Sequence, residues 1–461
     1  MNPTLTDEVV GFLLNQILPP KEVREKAIEH VLDGFAVMLA GSRTDCAKKL
    51  ADFVHEKGGV PTSTIIGFDF KTTPQDAAMI NGTSGHADDY DDTQLSTSPD
   101  RIYGLLTHPT VPVLAAALAV GEQMDCSGEE FLDAFVAGFE VECKLAEAIK
   151  PEHYRRGFHT TGTMGAFGAF AASGRLLGLD EQEYRHALGI TASLSSGIRV
   201  NFGTMTKPLH AGMAASNGVT ACMLAKRGFT SDRNALDGPW GYMQILGNGY
   251  DPDMIVGKLD DPYALIYPGA TFKLYPCGSL GQPSMDTLLE IVTELDLGAK
   301  DVREVRLRAG LNILEPLRYA EPVNDLQAKF SLQFGLASIL LRRKAGLREY
   351  TTEFVNRPKV RETMRKVKTV LDPELARMGV EKMRSVVEVE LQDGRVVRRL
   401  AEKARGTPGK PLRGYELEDK FRECASFVLD ENKINQVLKT IRGIEKLPST
   451  GELSSQLIRM N

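Results

Sequence analysis

Asn201-Phe202-Gly203-Thr204-Met205-Thr206-Lys207-Pro208-Leu209-His210-Ala211-Gly212 runs from a glycine-bearing loop into a helical stretch. Residues 209–227 continue it with the small side chains Ala211, Gly212, Ala215 and Gly218, and Gly228 reads as a C-terminal cap. Residues 161–173 repeat the pattern with Gly162, Gly165 and Gly168. Such faces let helix backbones approach closely. Working outward, residues 22–40, 131–148 and 181–194 also show apolar positions at helical spacing. In 22–40 these are Ala27, Val31, Gly34, Phe35 and Met38, with a stop at Gly41. Roughly the first 265 residues therefore read as helix after helix, which predicts a mainly α chain with a large all-helical domain.

Near Tyr267-Pro268-Gly269 the character changes. Val302-Arg303-Glu304-Val305-Arg306-Leu307 alternates as a strand, and residues 385–391 and 395–400 alternate around Asp393-Gly394, a hairpin signal. Residues 328–341 between them read as an apolar helix, and basic residues are frequent from 342 to 413. A smaller α+β domain is expected here. Pro408-Gly409-Lys410-Pro411 reads as a linker, after which residues 435–444 are helical again. The chain shows no internal repeat.

Its 461 residues suggest two to four domains, and 42% hydrophobic with 25% charged residues is ordinary for a globular protein. A net charge of −6 gives no general attraction to nucleic acid or to acidic membranes, but leaves a small anionic substrate open. No apolar run reaches bilayer length; the longest is 111–120. Met1-Asn2-Pro3-Thr4-Leu5-Thr6-Asp7 has neither a basic region nor an apolar signal core, so a cytoplasmic protein is expected. The six scattered cysteines form no Cys-x-x-Cys pair and read as small buried hydrophobes, not as a disulfide framework or cluster ligands.

Chemistry concentrates in two places. His86-Ala87-Asp88-Asp89-Tyr90-Asp91-Asp92-Thr93, followed by Thr107-His108-Pro109-Thr110, holds four carboxylates and two imidazoles. Burying these is costly unless each is paired, so they read as lining a wet cleft. All eight histidines lie at or before residue 210, which assigns imidazole chemistry to the helical part; His30, His55, His153 and His186 read as structural or surface. Pro109 suits a first helical turn. His108 then stands at a helix N-terminus, where the dipole disfavours imidazolium and a neutral base results, or else it merely caps the helix. Lys207, which Pro208 pushes toward extended backbone just before a helix, reads equally as anion binder, general acid or surface lysine.

Together with Gly157-Phe158-His159, Phe272-Lys273-Leu274-Tyr275-Pro276-Cys277, Lys329-Phe330-Ser331 and Lys420-Phe421-Arg422, these segments resemble the MmgE/PrpD family along nearly the whole chain. Its members include 2-methylcitrate dehydratase, cis-aconitate decarboxylase and iminodisuccinate epimerase. The resemblance implies a helical domain at 1–266, an inserted α+β lid at 267–407, and C-terminal helices at 408–461 that return to the helical domain. It implies Asp89, His108, His159 and Lys207 as catalytic residues and Thr93, His86, Lys273, Tyr275 and Cys277 as substrate-binding, with no metal or cofactor, in a homodimer. Asp89 and Thr93, four apart, are expected to share a helix face. Asp89 is expected to orient a histidine or Lys207, and His210 to pack beneath the site.

The expected function is a cofactor-independent lyase that abstracts a proton alpha to a carboxylate of a small di- or tricarboxylate, most like a 2-methylcitrate dehydratase. Alternatives are an epimerase of an iminodisuccinate-like dicarboxylate and a cis-aconitate decarboxylase-like enzyme; a non-catalytic polycarboxylate-binding protein is a distant one. Many relatives carry a histidine shortly after Tyr-Pro, where this chain reads Cys277 through Gln282, and a tyrosine where it has Phe334. That departure weighs against decarboxylation and leaves Tyr275 or Cys277 as proton donors. Asp88-Asp89-Tyr90-Asp91-Asp92 also spells the Mg²⁺–diphosphate motif of helical prenyl synthases, but Asp260-Asp261-Pro262 supplies no second motif. The glycines at 162, 165 and 168 lack dinucleotide-binding spacing.

Overall fold

In the computed structural model, which describes residues 4–15, 18–95, 106–377 and 384–459, the small-residue helices meet backbone to backbone. A Cβ on Gly82, in Pro74–Ala87, would lie 2.8 Å from the Cα of Gly212, in Thr206–Ala225; one on Gly218 would lie 2.5 Å from the backbone nitrogen of Phe170, in Thr160–Leu177. A Cβ on Gly165 would meet Pro112 of Thr110–Gln123 at 2.7 Å. Only glycine permits these approaches, and they fix where the helix ends fall. His86 sits in the last turn of Pro74–Ala87, His108 two residues before Thr110–Gln123, His159 at the N-cap of Thr160–Leu177, and Lys207 in the first turn of Thr206–Ala225. One end of the packed helices thus collects the chemistry.

The fold is mainly α, as expected. A second hydrophobic core surrounds a four-stranded sheet in the order Val367–Leu371, Val302–Ala309, Ser385–Leu391, Val396–Ala401; the first pair is parallel and the others antiparallel. The hairpin closes with Glu390 opposite Val396 and Gly394 at φ +87. Gln282–Glu294 and Leu332–Arg342 pack their apolar faces into the same core. The helix expected over 328–341 is broken: Asp325–Ala328 stops and Leu332–Arg342 restarts on a Ser331 side-chain cap, freeing Lys329 and Phe330 to reach elsewhere. The parallel strand Val367–Leu371 escaped the sequence reading because only Val367 in it is buried, so it carries no alternation.

After residue 408 the chain rejoins the first core. Leu417, Phe421, Ile434, Val437 and Ile441 pack in one cluster with Val31, Phe35 and Leu39. The stretch read as a linker is pinned, with Lys410 Nζ 3.0 Å from Asp286 and 2.7 Å from Glu290. All six cysteines are free and buried. Among the described residues no helix is long and apolar enough to cross a membrane.

Candidate active site

The acidic run is not helical. Pro74–Ala87 ends before it, Asp89 adopts left-handed backbone (φ +51), and Thr93 pairs with Thr271 in a two-residue strand. Asp89 and Thr93 therefore share no helix face. Consecutive carboxylates at a helix C-terminus oppose its dipole, and aspartate side chains compete for backbone donors. Three lysines from beyond residue 270 hold the run by its carbonyl groups: Lys329 Nζ donates to Ala87 O (2.9 Å), Lys273 Nζ to Asp89 O (2.9 Å) and Lys420 Nζ to Tyr90 O (2.8 Å). Each also meets a carboxylate. Lys329 lies 3.4 Å from Asp88, Lys273 2.7 Å from Asp89, and Lys420 2.6 Å from Asp33.

Against this loop lies a small cavity lined by Asp89, Leu106, His108, Tyr154, His159, Phe202, Lys207, Gly278, Ser279, Leu280, Pro316, Leu317 and Phe330. Its free space of about 30 Å³ admits a water or two but no polycarboxylate. A larger cavity of about 560 Å³ lies beyond His30, whose Nδ1 is already committed to Thr110 (3.1 Å) and Asp92 (3.0 Å). Size favours that cavity; the convergence of chemical groups favours the small one.

Lys207 Nζ stands 3.0 Å from Asp89 Oδ1 and about equally far from the rings of Phe202 and Phe330 (5.5 and 5.4 Å). His108 donates Nδ1–H to the carbonyl of Asp92, an acceptor only, which leaves Nε2 as a lone pair. His159 and His210 face each other Nδ1 to Nδ1 at 2.9 Å, so one donates, the other accepts, and His159 Nε2 is left without a protein partner. Gly162 and Gly197 make the slot for His210: a Cβ on either would press on it at 3.0 and 3.3 Å. His86, bonded to Asp91 at 2.7 Å, lies between the rings of His108 (4.8 Å) and His159 (5.5 Å).

Burial first, then Lys273, holds the His108 imidazole well below its ordinary pKa; burial, then Lys207, does the same to His159. Desolvation and neighbouring ammonium charge thus favour the neutral imidazole at His108, where the sequence had pointed to the helix dipole. Burial also lowers Lys207, against the pull of Asp89. For Asp89 burial works upward, yet Lys207 and Lys273 prevail and keep the carboxyl well below the ordinary value. His86, Asp89, Asp91 and His108 bring ligand atoms within 4.8 Å of one another, a set that could hold a cation. Two ammoniums already occupy Asp89, and their repulsion opposes one.

Of the residues singled out from sequence, Asp89, His108, His159 and Lys207 line the cavity. His86, Thr93 and Lys273 stand behind it: Thr93 Oγ1 holds Ser279 Oγ at 2.6 Å, and Lys273 spends its ammonium on Asp89. Tyr275 and Cys277 are placed elsewhere. The Tyr275 hydroxyl donates to Asp286 (3.2 Å), Cys277 faces Met285 and Gln282, and burial pushes the Cys277 thiol up to about 12. Ser279, Phe202, Phe330 and the partner role of His210 were not foreseen. Phe202 and Phe330 stood in quoted motifs, but nothing local distinguishes a phenylalanine, or a serine such as Ser279, that will face a cleft.

Residues 9–255 match the MmgE/PrpD N-terminal domain and residues 275–443 the MmgE/PrpD C-terminal domain. The chain is similar to the cis-aconitate decarboxylase of Homo sapiens, 26% identical over 97% of this chain and 92% of that protein. It is similar to those of Mus musculus (27%; 93% and 87%) and Aspergillus terreus (25%; 94% and 91%). Matched over both domains, with an acidic loop, two histidines and a lysine converging on one cavity, the chain belongs to the MmgE/PrpD family and is a lyase of that type.

Proposed function

We propose that the protein is a cofactor-independent lyase of small polycarboxylates, with carboxy-lyase chemistry, as in its named relatives, the leading reading. The observation that carries it is the placement of His108 Nε2, His159 Nε2 and Lys207 Nζ around one cavity. Lys207 would pair with the substrate carboxylate next to the reacting carbon. For a cis-aconitate-like acid, the C–C bond to the leaving carboxylate breaks and its electrons move through the double bond. Charge then develops alpha to a retained carboxylate that the ammonium stabilises. The carbon takes the proton of His159 Nε2–H, the Nδ1 proton of His210 passes to His159 Nδ1, and His210 takes a proton from solvent, so that both imidazoles end neutral.

A hydro-lyase reading, 2-methylcitrate dehydratase-like, is favoured by His108, whose lone pair is set to remove an alpha proton while a second group protonates the departing hydroxyl. In either case the cavity must widen, so residues 267–407 are proposed to act as a lid. Homodimerisation belongs to the same proposal. Proton NMR in D₂O separates the readings. CO₂ release from cis-aconitate with one deuterium in a product methylene supports the carboxy-lyase, and replacement of the 2-methylcitrate methyl doublet by the singlet of a methyl on a double bond supports the hydro-lyase. Deuterium entering beside a carboxylate of iminodisuccinate without net loss would indicate epimerisation. No change with any of these acids would refute both lyase readings.

A further inference from the structure

The cavity of about 560 Å³ beyond His30 takes no part in the lyase reading, and its volume is that of a small-molecule site. It opens where the chain passes between the two cores. Leu265 and Phe272 line it from the outgoing crossing, Leu417 from the returning one, and His30 and Leu32 from the helix Lys21–Gly41; all five are buried. The crossings touch, with Phe272 N–H donating to Gly406 O (3.1 Å). The rim is charged: Lys26, Arg413 and Arg442 stand there against the single carboxylate of Glu29. Lys26 holds Glu29 at 2.5 Å and Arg442 is paired with Glu418. The Arg413 guanidinium donates to the Tyr415 hydroxyl (3.2 Å) and, among the described residues, pairs with no carboxylate. An apolar floor under one unspent cation suits a single negative charge on a hydrocarbon body; a second carboxylate on that floor would lose its water without gaining a partner.

Two short paths lead from the floor to the reacting groups. His30 Nδ1 lies 3.0 Å from Asp92 Oδ2, and the Asp92 carbonyl accepts His108 Nδ1–H. Phe272 precedes Lys273, whose ammonium lies 2.7 Å from Asp89, and Ala270, also on the cavity wall, pairs with Gln94 beside Thr93. We propose that this cavity is a second ligand site, for a monocarboxylate with an extended apolar body such as a medium-chain fatty acid, and that its occupant slows the reaction. The carboxylate pairs with Arg413 and the chain lies along the floor. Wedged between the helix and both crossings, it restrains the movement that must widen the small cavity. The slowing rests on the lyase reading; the binding does not.

Calorimetric titration of the full chain with hexanoate, octanoate and decanoate tests the site. One ligand per chain is expected, with affinity rising about fourfold for each methylene buried, and octylamine, of similar length and opposite charge, is expected not to bind. Arg413→Glu, and separately Leu412→Glu at a half-buried wall position, are each expected to weaken octanoate at least about tenfold, while Lys207→Met leaves it unchanged. Equal binding of octylamine, an affinity untouched by both rim variants, or a loss in Lys207→Met, which would put the fatty acid in the small cavity, overturns the site. At saturating decanoate, kcat/KM for cis-aconitate is expected to fall at least about fivefold in the native protein and to hold in Arg413→Glu. An unchanged value in the native protein removes the coupling. If no polycarboxylate is turned over, the lyase reading fails and the titrations alone decide this site.

Discussion

Asp89→Asn isolates the charge balance at the centre of the site. Asparagine has the same outline and tolerates backbone at φ +51, so the substitution removes charge and little else. In the native protein Oδ1 lies 3.0 Å from Lys207 Nζ and 2.7 Å from Lys273 Nζ. At an effective dielectric near 20, each attraction is about 6 kcal/mol before desolvation is counted. Removing one partner of a buried pair costs about 3–5 kcal/mol. Here two ammoniums lose the same anion and face each other, so the upper end, about 5 kcal/mol, is expected at pH 7. Because Lys207 and Lys273 outweigh burial and depress the Asp89 carboxyl, its contribution is present above the ordinary carboxylate value near 4 and is lost as pH falls through the lower folded value. The deficit of the variant therefore spans the neutral range. It shrinks in alkali, where Lys207, already lowered by burial and no longer supported by Asp89, gives up its proton. Denaturant unfolding of both proteins between pH 6 and 10 measures this. A deficit under about 1 kcal/mol at pH 7, the level of an exposed ion pair, or one that grows with pH, would refute the reasoning.

His108→Gln and Lys207→Met are each expected to lower turnover by at least about 10²-fold with unchanged circular dichroism, and a near-normal rate in either removes the assigned role. Because burial and the neighbouring lysines depress His108 and His159, the acid limb of kcat/KM is expected below the ordinary histidine value near 6.5; a limb at or above it contradicts the neutral-base assignment. Dialysis against EDTA is expected to leave turnover unchanged, and a loss restored by Mg²⁺ or Zn²⁺ would show that a cation displaces the ammoniums from Asp89. Glu142 is buried, its Oε2 unpartnered, and burial holds its carboxyl well above the ordinary value. Such a group stabilises below its unfolded pKa and loses that contribution as pH rises toward the folded one. Glu142→Gln should accordingly match the native protein near pH 5 and exceed it in stability near pH 8, as melting curves at the two values would show.

The helices were legible because their faces repeat at helical spacing, and Gly165 and Gly218 signalled the close approaches that the structure contains. His108 and Lys207 were legible because a proline beside each marked a helix start, although Lys207 lies inside the first turn and not in an extended segment. Pro208 is tolerated there because first-turn N–H groups have no helical acceptor to lose. The conformation at Asp89 was not legible. Four-residue spacing from Asp89 to Thr93 suited a helix, and what overrides it is tertiary: Lys273, Lys329 and Lys420, distant in sequence, each take one carbonyl of the run. The direction of Tyr275 and Cys277 was equally hidden, since Asp286 and Gln282, which turn them from the cavity, show no sign of that in sequence.

Density of acid was the reason to expect a wet cleft at residues 88–92, yet all four aspartates are buried. Their partners make this tolerable. Asp88 has Arg43 and Lys329, Asp89 has Lys207 and Lys273, Asp91 has His86, and Asp92 has Thr110 and His30. Lys273 and Lys329 come from the far side of residue 270, and the former leads into the sheet-bearing core. The helical core alone would leave Asp89 with a single cation and release the carbonyl groups that fix its left-handed turn. The loop therefore reaches its final shape only when both cores are in place. Burial is what first holds His108 and His159 neutral, and Lys273 and Lys207, two of the lysines that make the loop tolerable, add to it, so the buried acidic run and the neutral base come from one arrangement.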